Sequence, residues 1–140
     1  FGPTLREGVW MQRLFVGILA EILRDEYRIS ATRTGDDLWI GEGSLKRKLS
    51  VSIVTSSSVS QLLHIGINVD PAGAPVAAVG LAELKVDATR FAQEALKRFA
   101  ADAPANTDDL PVVAYADNNN HSIFIRHIGG SSFTTGVYGG

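Results

Sequence analysis

Apolar residues between positions 9 and 27 recur at spacings of three and four: Trp10, Leu14, Ile18 and Ile22, with Met11, Phe15, Leu19 and Leu23 beside them. This period predicts an amphipathic helix with one broad apolar face, and Gln12, Arg13, Glu21, Arg24 and Asp25 occupy the remainder. So wide a stripe needs a sheet or a second helix to cover it. Beyond position 27 the period drops to two. Residues 28–34 alternate Ile29, Ala31 and the β-branched Thr32 with charges, which predicts a strand. Gly35-Asp36-Asp37 carries turn chemistry, Leu38-Trp39-Ile40 is a short apolar run, and Gly41-Glu42-Gly43 is a second turn.

The clearest strands follow. Over 48–55, Leu49, Val51 and Ile53 take one face and Lys48, Ser50 and Ser52 the other. Over 62–69, Ile65, Ile67 and Val69 oppose His64, Gly66 and Asn68. The Ser-rich stretch 55–61 fits a hairpin connection. Antiparallel pairing about its middle sets Ser50 near Asn68 and Ser52 near Gly66, so that the apolar faces coincide.

After a Pro-, Gly- and Ala-rich loop at 70–80, residues 81–86 read as a short strand. Asp87 is placed to cap a second helix reaching about residue 101, with Val86 and Phe91 positioned as a hydrophobic staple. A polar connector at 103–111 leads to strand-like runs at 112–115, 122–128 and 133–138. The expected fold class is therefore α+β: a mostly antiparallel sheet with two helices on one face and terminal β-strands added. Residues 1–103 form the main domain in this reading, and 104–140 a connector with a β-rich C-terminal segment.

Composition narrows the partners. The chain has 140 residues, one domain's worth or a piece of one. Thirteen basic against 15 acidic residues give a net charge of −2, which argues against a dedicated nucleic-acid binder. The absence of cysteine excludes a disulfide framework, a thiolate metal site and a Cys nucleophile. The longest apolar run, 14–20, is far short of the ~20 residues that span a bilayer, and no secretory signal precedes it. A cytoplasmic location without a membrane partner is expected. The start at Phe1-Gly2-Pro3 reads as internal or processed. His64, His121 and His127 show no tight ligand spacing, so no metal site is expected.

The candidate chemistry lies on the polar face of the central hairpin. Lys48, Ser50, Ser52, His64 and Asn68 would project from adjacent strands, and Gly66 would let a flat ligand approach the backbone. Lys48 suits a carboxylate or phosphate oxygen, while Asn68 offers a donor and an acceptor. The plainer alternative is a half-solvated sheet face. Gly41-Glu42-Gly43 with Lys46, Arg47 and Lys48 could cradle a phosphate, but it has neither P-loop nor dinucleotide spacing and reads more simply as a solvated turn. Asp36 and Asp37, adjacent in sequence, are accounted for by turn formation.

Several motifs occur in a recognisable order: Gln12-Arg13-Leu14, Gly35-Asp36-Asp37-Leu38-Trp39, Lys48-Leu49-Ser50-Val51-Ser52-Ile53 and His64-Ile65-Gly66-Ile67-Asn68-Val69, then Pro75 and Gly80-Leu81. Over about residues 1–101 this set resembles a prokaryotic domain-of-unknown-function family (number 366). That family is similar to the biotin and lipoate protein ligases, whose fold is shared with class II tRNA synthetases. The resemblance implies that Lys48 contacts the carboxylate or α-phosphate of an acyl-adenylate, with Gly66 and Asn68 on the opposing strand. It also implies ATP with magnesium as cofactor and a small carboxylic acid or nucleotide as ligand. Three features depart from the pattern: the Gly-Arg-Gly loop that wraps the adenylate is not in this chain, the family's portion before the first helix is absent, and the tail from about Ala103 has no counterpart in the family.

Two functions stay open at this point. One is binding of a nucleotide or acyl-adenylate on the hairpin, with Ser50, Ser52 and His64 supplying hydrogen bonds beside Lys48 and Asn68. The other is a non-enzymatic assembly module that uses an exposed sheet edge and the β-rich tail. An open edge invites strand pairing, so a homo-oligomer is expected.

Overall fold

The computed structural model describes residues 5–56, 61–71, 77–102, 112–116, 122–128 and 137–138. In chain order these form α1 (Leu5–Tyr27), β1 (Ala31–Thr34), β2 (Asp37–Ile40), a 3-10 turn (Gly43–Leu45), β3 (Arg47–Lys48), β4 (Ser50–Ser56) and β5 (Gln61–Asn68). They are followed by α2 (Ala88–Asp102), β6 (Val112–Ala116), β7 (Ser122–Ile128) and β8 (Val137–Tyr138). The strands make a three-stranded sheet, β1-β2-β3, and a five-stranded sheet, β4-β5-β7-β6-β8. Every pair is antiparallel except β6 with β8. The α+β class holds, and the C-terminal strands join the sheet of the hairpin through β5–β7 pairing. The Ser-rich hairpin tip, Pro75, His121 and the stretch 133–136 lie outside the described residues.

The core lies where the two helices meet the sheets. Phe15, Val16, Ile18, Leu19, Ile22 and Leu23 of α1 are buried with Phe91, Ala92, Ala95 and Phe99 of α2, and with Leu63, Ile65 and Ile67 of β5. Phe15 and Phe99 stack at a tilt of 49°, with ring centroids 4.7 Å apart. The helix starts one turn earlier than the pattern predicts, and its buried stripe is rotated. Trp10 is 59% and Leu14 40% exposed, whereas Gln12, expected on the polar side, is 4% exposed. Gln12 turns inward because its amide finds partners there, and Trp10 and Leu14 are carried outward.

The central hairpin forms with a register one residue away from the expected one. Ser50 pairs with Ile67, Ser52 with Ile65, Val51 with Gly66 and Ile53 with His64. One residue of slip exchanges the faces of a strand. Ser50 and Ser52 accordingly face the helices, while Val51 (53%) and Ile53 (62%) are exposed. The cause lies at Leu49, where the chain changes sheets. The Leu49 amide bonds the Leu38 carbonyl of β2 (2.8 Å), and its carbonyl receives the Asn68 amide of β5 (2.9 Å). Leu49 and Ser50 are both buried in succession, so the alternation loses one step there.

The predicted strand at 81–86 is instead a turn: the Val86 amide closes onto the Leu81 carbonyl (2.9 Å), and Lys85 takes φ +58°. Asp87 does cap α2, its carboxylate accepting from the Arg90 amide at 2.9 Å. The end of the preceding loop is also ordered against the small sheet. Ala78 bridges Lys48 in parallel, with the Lys48 amide on the Ala77 carbonyl and the Val79 amide on the Lys48 carbonyl, both at 3.0 Å.

Candidate functional site

The small sheet gathers polar chemistry on its outer face. Its register sets Thr32 beside Trp39, Thr34 beside Asp37 and Trp39 beside Lys48. Alternate residues of a strand share a face, so these five side chains lie on one side. The 3-10 turn adds Lys46, whose ammonium stands 4.8 Å from the Trp39 ring centroid; that of Lys48 stands at 5.8 Å. Lys48 is also paired with Asp37 at 2.8 Å. The two threonines, Trp39, Lys46 and the loop 41–43 line a shallow cavity of about 200 Å³.

The loop is shaped by its glycines. Gly41 and Gly43 have φ of +91° and +59°, a conformation that costs glycine nothing, and an added Cβ at Gly41 would approach the Leu45 carbonyl oxygen to 3.0 Å. The face and its loop therefore present two ammonium groups, the carboxylates of Asp37 and Glu42, two hydroxyls and an indole. Glu42 on the rim balances the second ammonium, so the fit to an anionic, flat ligand rests on Lys46, whose ammonium lies over the aromatic platform of Trp39.

The third member of the basic run turns elsewhere. Arg47 forks onto the carboxylate of Glu83, one of the two bonds measuring 2.9 Å. That hydrogen bonding holds the Glu83 carboxyl below its ordinary range. Of the three cations in the run, Lys46 thus lines the cavity, Lys48 is paired with Asp37 on the same face, and Arg47 is paired with Glu83 beyond it.

The hairpin residues singled out in the sequence separate in space. Lys48 belongs to the outer face just described. Asn68 lies behind it: its side-chain amide donates to the carbonyls of Lys48 (3.2 Å) and Val79 (3.3 Å), holding the lysine's backbone in place. Ser52 faces α1, where it accepts from the Gln12 amide (2.7 Å) and donates to the Asp36 carbonyl (3.1 Å). Ser50 is fully buried, and its hydroxyl finds no hydrogen-bond partner among the described residues. Gly66 is buried, and His64 is half-buried in register with Ile53. Among the described residues no group of acidic or histidine side chains is gathered as a metal site.

Thr32, Thr34 and Trp39 were not marked as site residues by the sequence, whereas Lys46 and the loop 41–43 carry the phosphate-cradle pattern that reads more simply as a solvated turn. Folding 31–34 and 37–40 about Gly35-Asp36 brings T-x-T opposite D-x-W, and that turn was the available signal.

Comparison with known proteins adds three findings. Residues 1–111 match the family described as a domain of unknown function, DUF366. A stretch of 76 residues, 54% of the chain, is 41% identical to an uncharacterized protein of Methanocaldococcus jannaschii, of whose length it spans 32%. No solved structure matches.

Proposed function

The chain belongs to the DUF366 family, and from that premise we propose that the outer face of its small sheet binds a small molecule carrying a carboxylate or phosphate, of the nucleotide or acyl-adenylate class. Lys46 and Lys48 meet the anion, Thr32 and Thr34 donate hydrogen bonds, and Trp39 forms the floor. Asp37 orients Lys48 from one side, and Asn68 fixes its main chain from the other. The observation that carries this reading is the pair of ammonium groups over a single indole, that of Lys48 held by Asp37. The likeness to biotin and lipoate ligases supports the ligand class.

The proposal is for binding and not for turnover. Asp36 and Asp37 already serve Gln12 and Lys48, so the donor set does not fit a magnesium–ATP site.

The test is thermal unfolding of the chain with ATP, AMP, biotin, lipoate and short carboxylic acids. Ligand at about 100 times its dissociation constant adds roughly 2.7 kcal/mol, a shift of several degrees for a chain of this size. The expected result is a shift that Lys46→Ala weakens and Lys48→Ala abolishes. A cooperative transition that none of these compounds moves would overturn the reading, as would a shift indifferent to both substitutions.

A second reading, a non-enzymatic assembly module, is favoured by Val51 and Ile53, exposed on the terminal strand β4. Ile53→Lys would then alter the oligomeric state and leave ligand binding intact.

A further inference from the structure

Helix α1 carries a second stripe that the core does not use. Trp10, Leu14, Gly17, Glu21 and Arg24 follow one another at spacings of four and three, and so lie along one side of the helix. Trp10 and Leu14 are the large apolar groups exposed there, at 59% and 40%. Above Gly17 there is open space: a Cβ built on it would meet no atom within 4 Å. Beside Gly17, between α1 and β1, runs a groove of about 530 Å³ lined by Gly17, Ala20, Glu21, Arg24, Ile29 and Ala31 among others. That is room enough for an indole ring.

The charges on this stripe are arranged about Gly17, near the middle of the helix. Four positions before it stands Arg13, and four after it Glu21. Seven before it stands Trp10, and seven after it Arg24; three before and after it stand Leu14 and Ala20. If an identical helix is laid antiparallel across Gly17, each position meets its mirror. Arg13 then faces the partner's Glu21 twice over, and Trp10 reaches the partner's Arg24, whose guanidinium can cover the ring. Arg6 already covers the same ring within the chain, at 5.1 Å. A two-fold axis needs a self-complementary surface of this kind, and a glycine at the crossing lets the helices approach closely.

We propose that two copies of the chain pair through α1, antiparallel about Gly17, each seating Trp10 in the α1–β1 groove of the other. The pairing is independent of the ligand face on the small sheet. It differs from pairing through a sheet edge in the surface it uses.

Sedimentation velocity over a concentration series tests it on the full 140-residue chain. The expected result is a monomer–dimer equilibrium that Arg13→Glu weakens about tenfold or more through like-charge contact, and that Arg13→Glu combined with Glu21→Arg restores. Gly17→Leu gives an independent readout. Within the monomer it replaces a poor helix former, so the melting temperature is maintained or raised, yet it blocks the crossing and abolishes the dimer. A chain monomeric at all concentrations overturns the proposal. So does a dimer insensitive to Arg13→Glu and Gly17→Leu, including one that only Ile53→Lys disrupts.

Discussion

The side-chain amide of Gln12 donates to the hydroxyl of Ser52 at 2.7 Å, joining the buried side of α1 to the inner face of β4 across 40 positions of sequence. The same amide reaches the Asp36 carboxylate at 3.2 Å, and Ser52 donates to the Asp36 carbonyl at 3.1 Å, so helix, strand and turn close a small polar triangle. Gln12→Leu should cost about 1–3 kcal/mol, because it strips a partner from half-buried polar groups. Combining it with Ser52→Ala should cost less than the sum of the single changes, with a coupling of about 0.5–3 kcal/mol in urea unfolding. Strict additivity would show that the contact does not hold the two elements together.

Ser50 predicts the opposite sign. Its hydroxyl is fully buried opposite Ile67, with no hydrogen-bond partner among the described residues. Removing such a group relieves a desolvation cost, so Ser50→Ala should stabilise by about 1 kcal/mol. Ser52→Ala, two residues along the same face, should destabilise. Thermal melts of the two variants moving in the same direction would refute this assignment of inner positions.

Gly80 is held by close backbone approach. A Cβ there would overlap the Val69 carbonyl, lying 2.6 Å from its carbon, and would press on Pro71 at 2.8 Å. Gly80→Ala should therefore cost about 1–3 kcal/mol, as overpacking does. The adjacent Leu81 amide, bonded to the Asn68 carbonyl at 2.9 Å, should lose hydrogen-exchange protection as a result.

Arg28 ends α1 in the left-handed region, φ +56°, where glycine is the usual occupant, and the Ile29 amide closes the helix onto the Leu23 carbonyl at 2.9 Å. Arg28→Gly should raise stability by about 1 kcal/mol, since the Cβ clash outweighs the added freedom of the unfolded chain. Arg28→Ala should give no such gain. Equal effects from the two would mean that the strain is not at this backbone position.

The pH dependence follows from two depressed carboxyls. Asp25 is held below its ordinary range chiefly by its hydrogen bond from Arg24, with Arg98 contributing, and Glu83 by its hydrogen bond from Arg47. A carboxyl depressed by folding adds stability at neutral pH that is lost as pH falls through its folded value. The urea midpoint should thus be flat near pH 7 and decline below the ordinary carboxylate range. Arg47→Gln should shrink the decline slightly, because these groups are exposed and screened. A midpoint rising in acid would contradict the sign.

How far the sequence reached is clear from particular residues. The second helix was legible down to its cap, because Asp87 and the apolar positions from Phe91 to Phe99 act locally. The first helix was legible as an element but not in its orientation. Periodicity ranks Trp10 above Gln12 for burial, and only the neighbouring Ser52 and Asp36 reverse that order. The hairpin strands were found, but their faces were exchanged because nothing in the alternation marks Leu49 as the point where the chain leaves one sheet for the other. That single step also explains why the hairpin residues proposed to share a face were divided. Lys48, one residue before the step, stays with the small sheet, and Ser50, one after it, enters the core. The cavity around Trp39 required knowing that β1, β2 and β3 pair side by side, which is a tertiary fact.

The same step has a consequence for how the molecule comes apart. Asn68 bonds through its side chain to Lys48 and Val79 and through its amide to Leu49, while its carbonyl accepts from Leu81. Three short segments, at 48–49, 68 and 79–81, are therefore stitched at one residue, and neither sheet can open there without the other. Local fraying of the small sheet and of the hairpin should be merged into one cooperative event, with the amides of Lys48, Leu49, Asn68, Val79 and Leu81 exchanging with solvent at a common, slow rate.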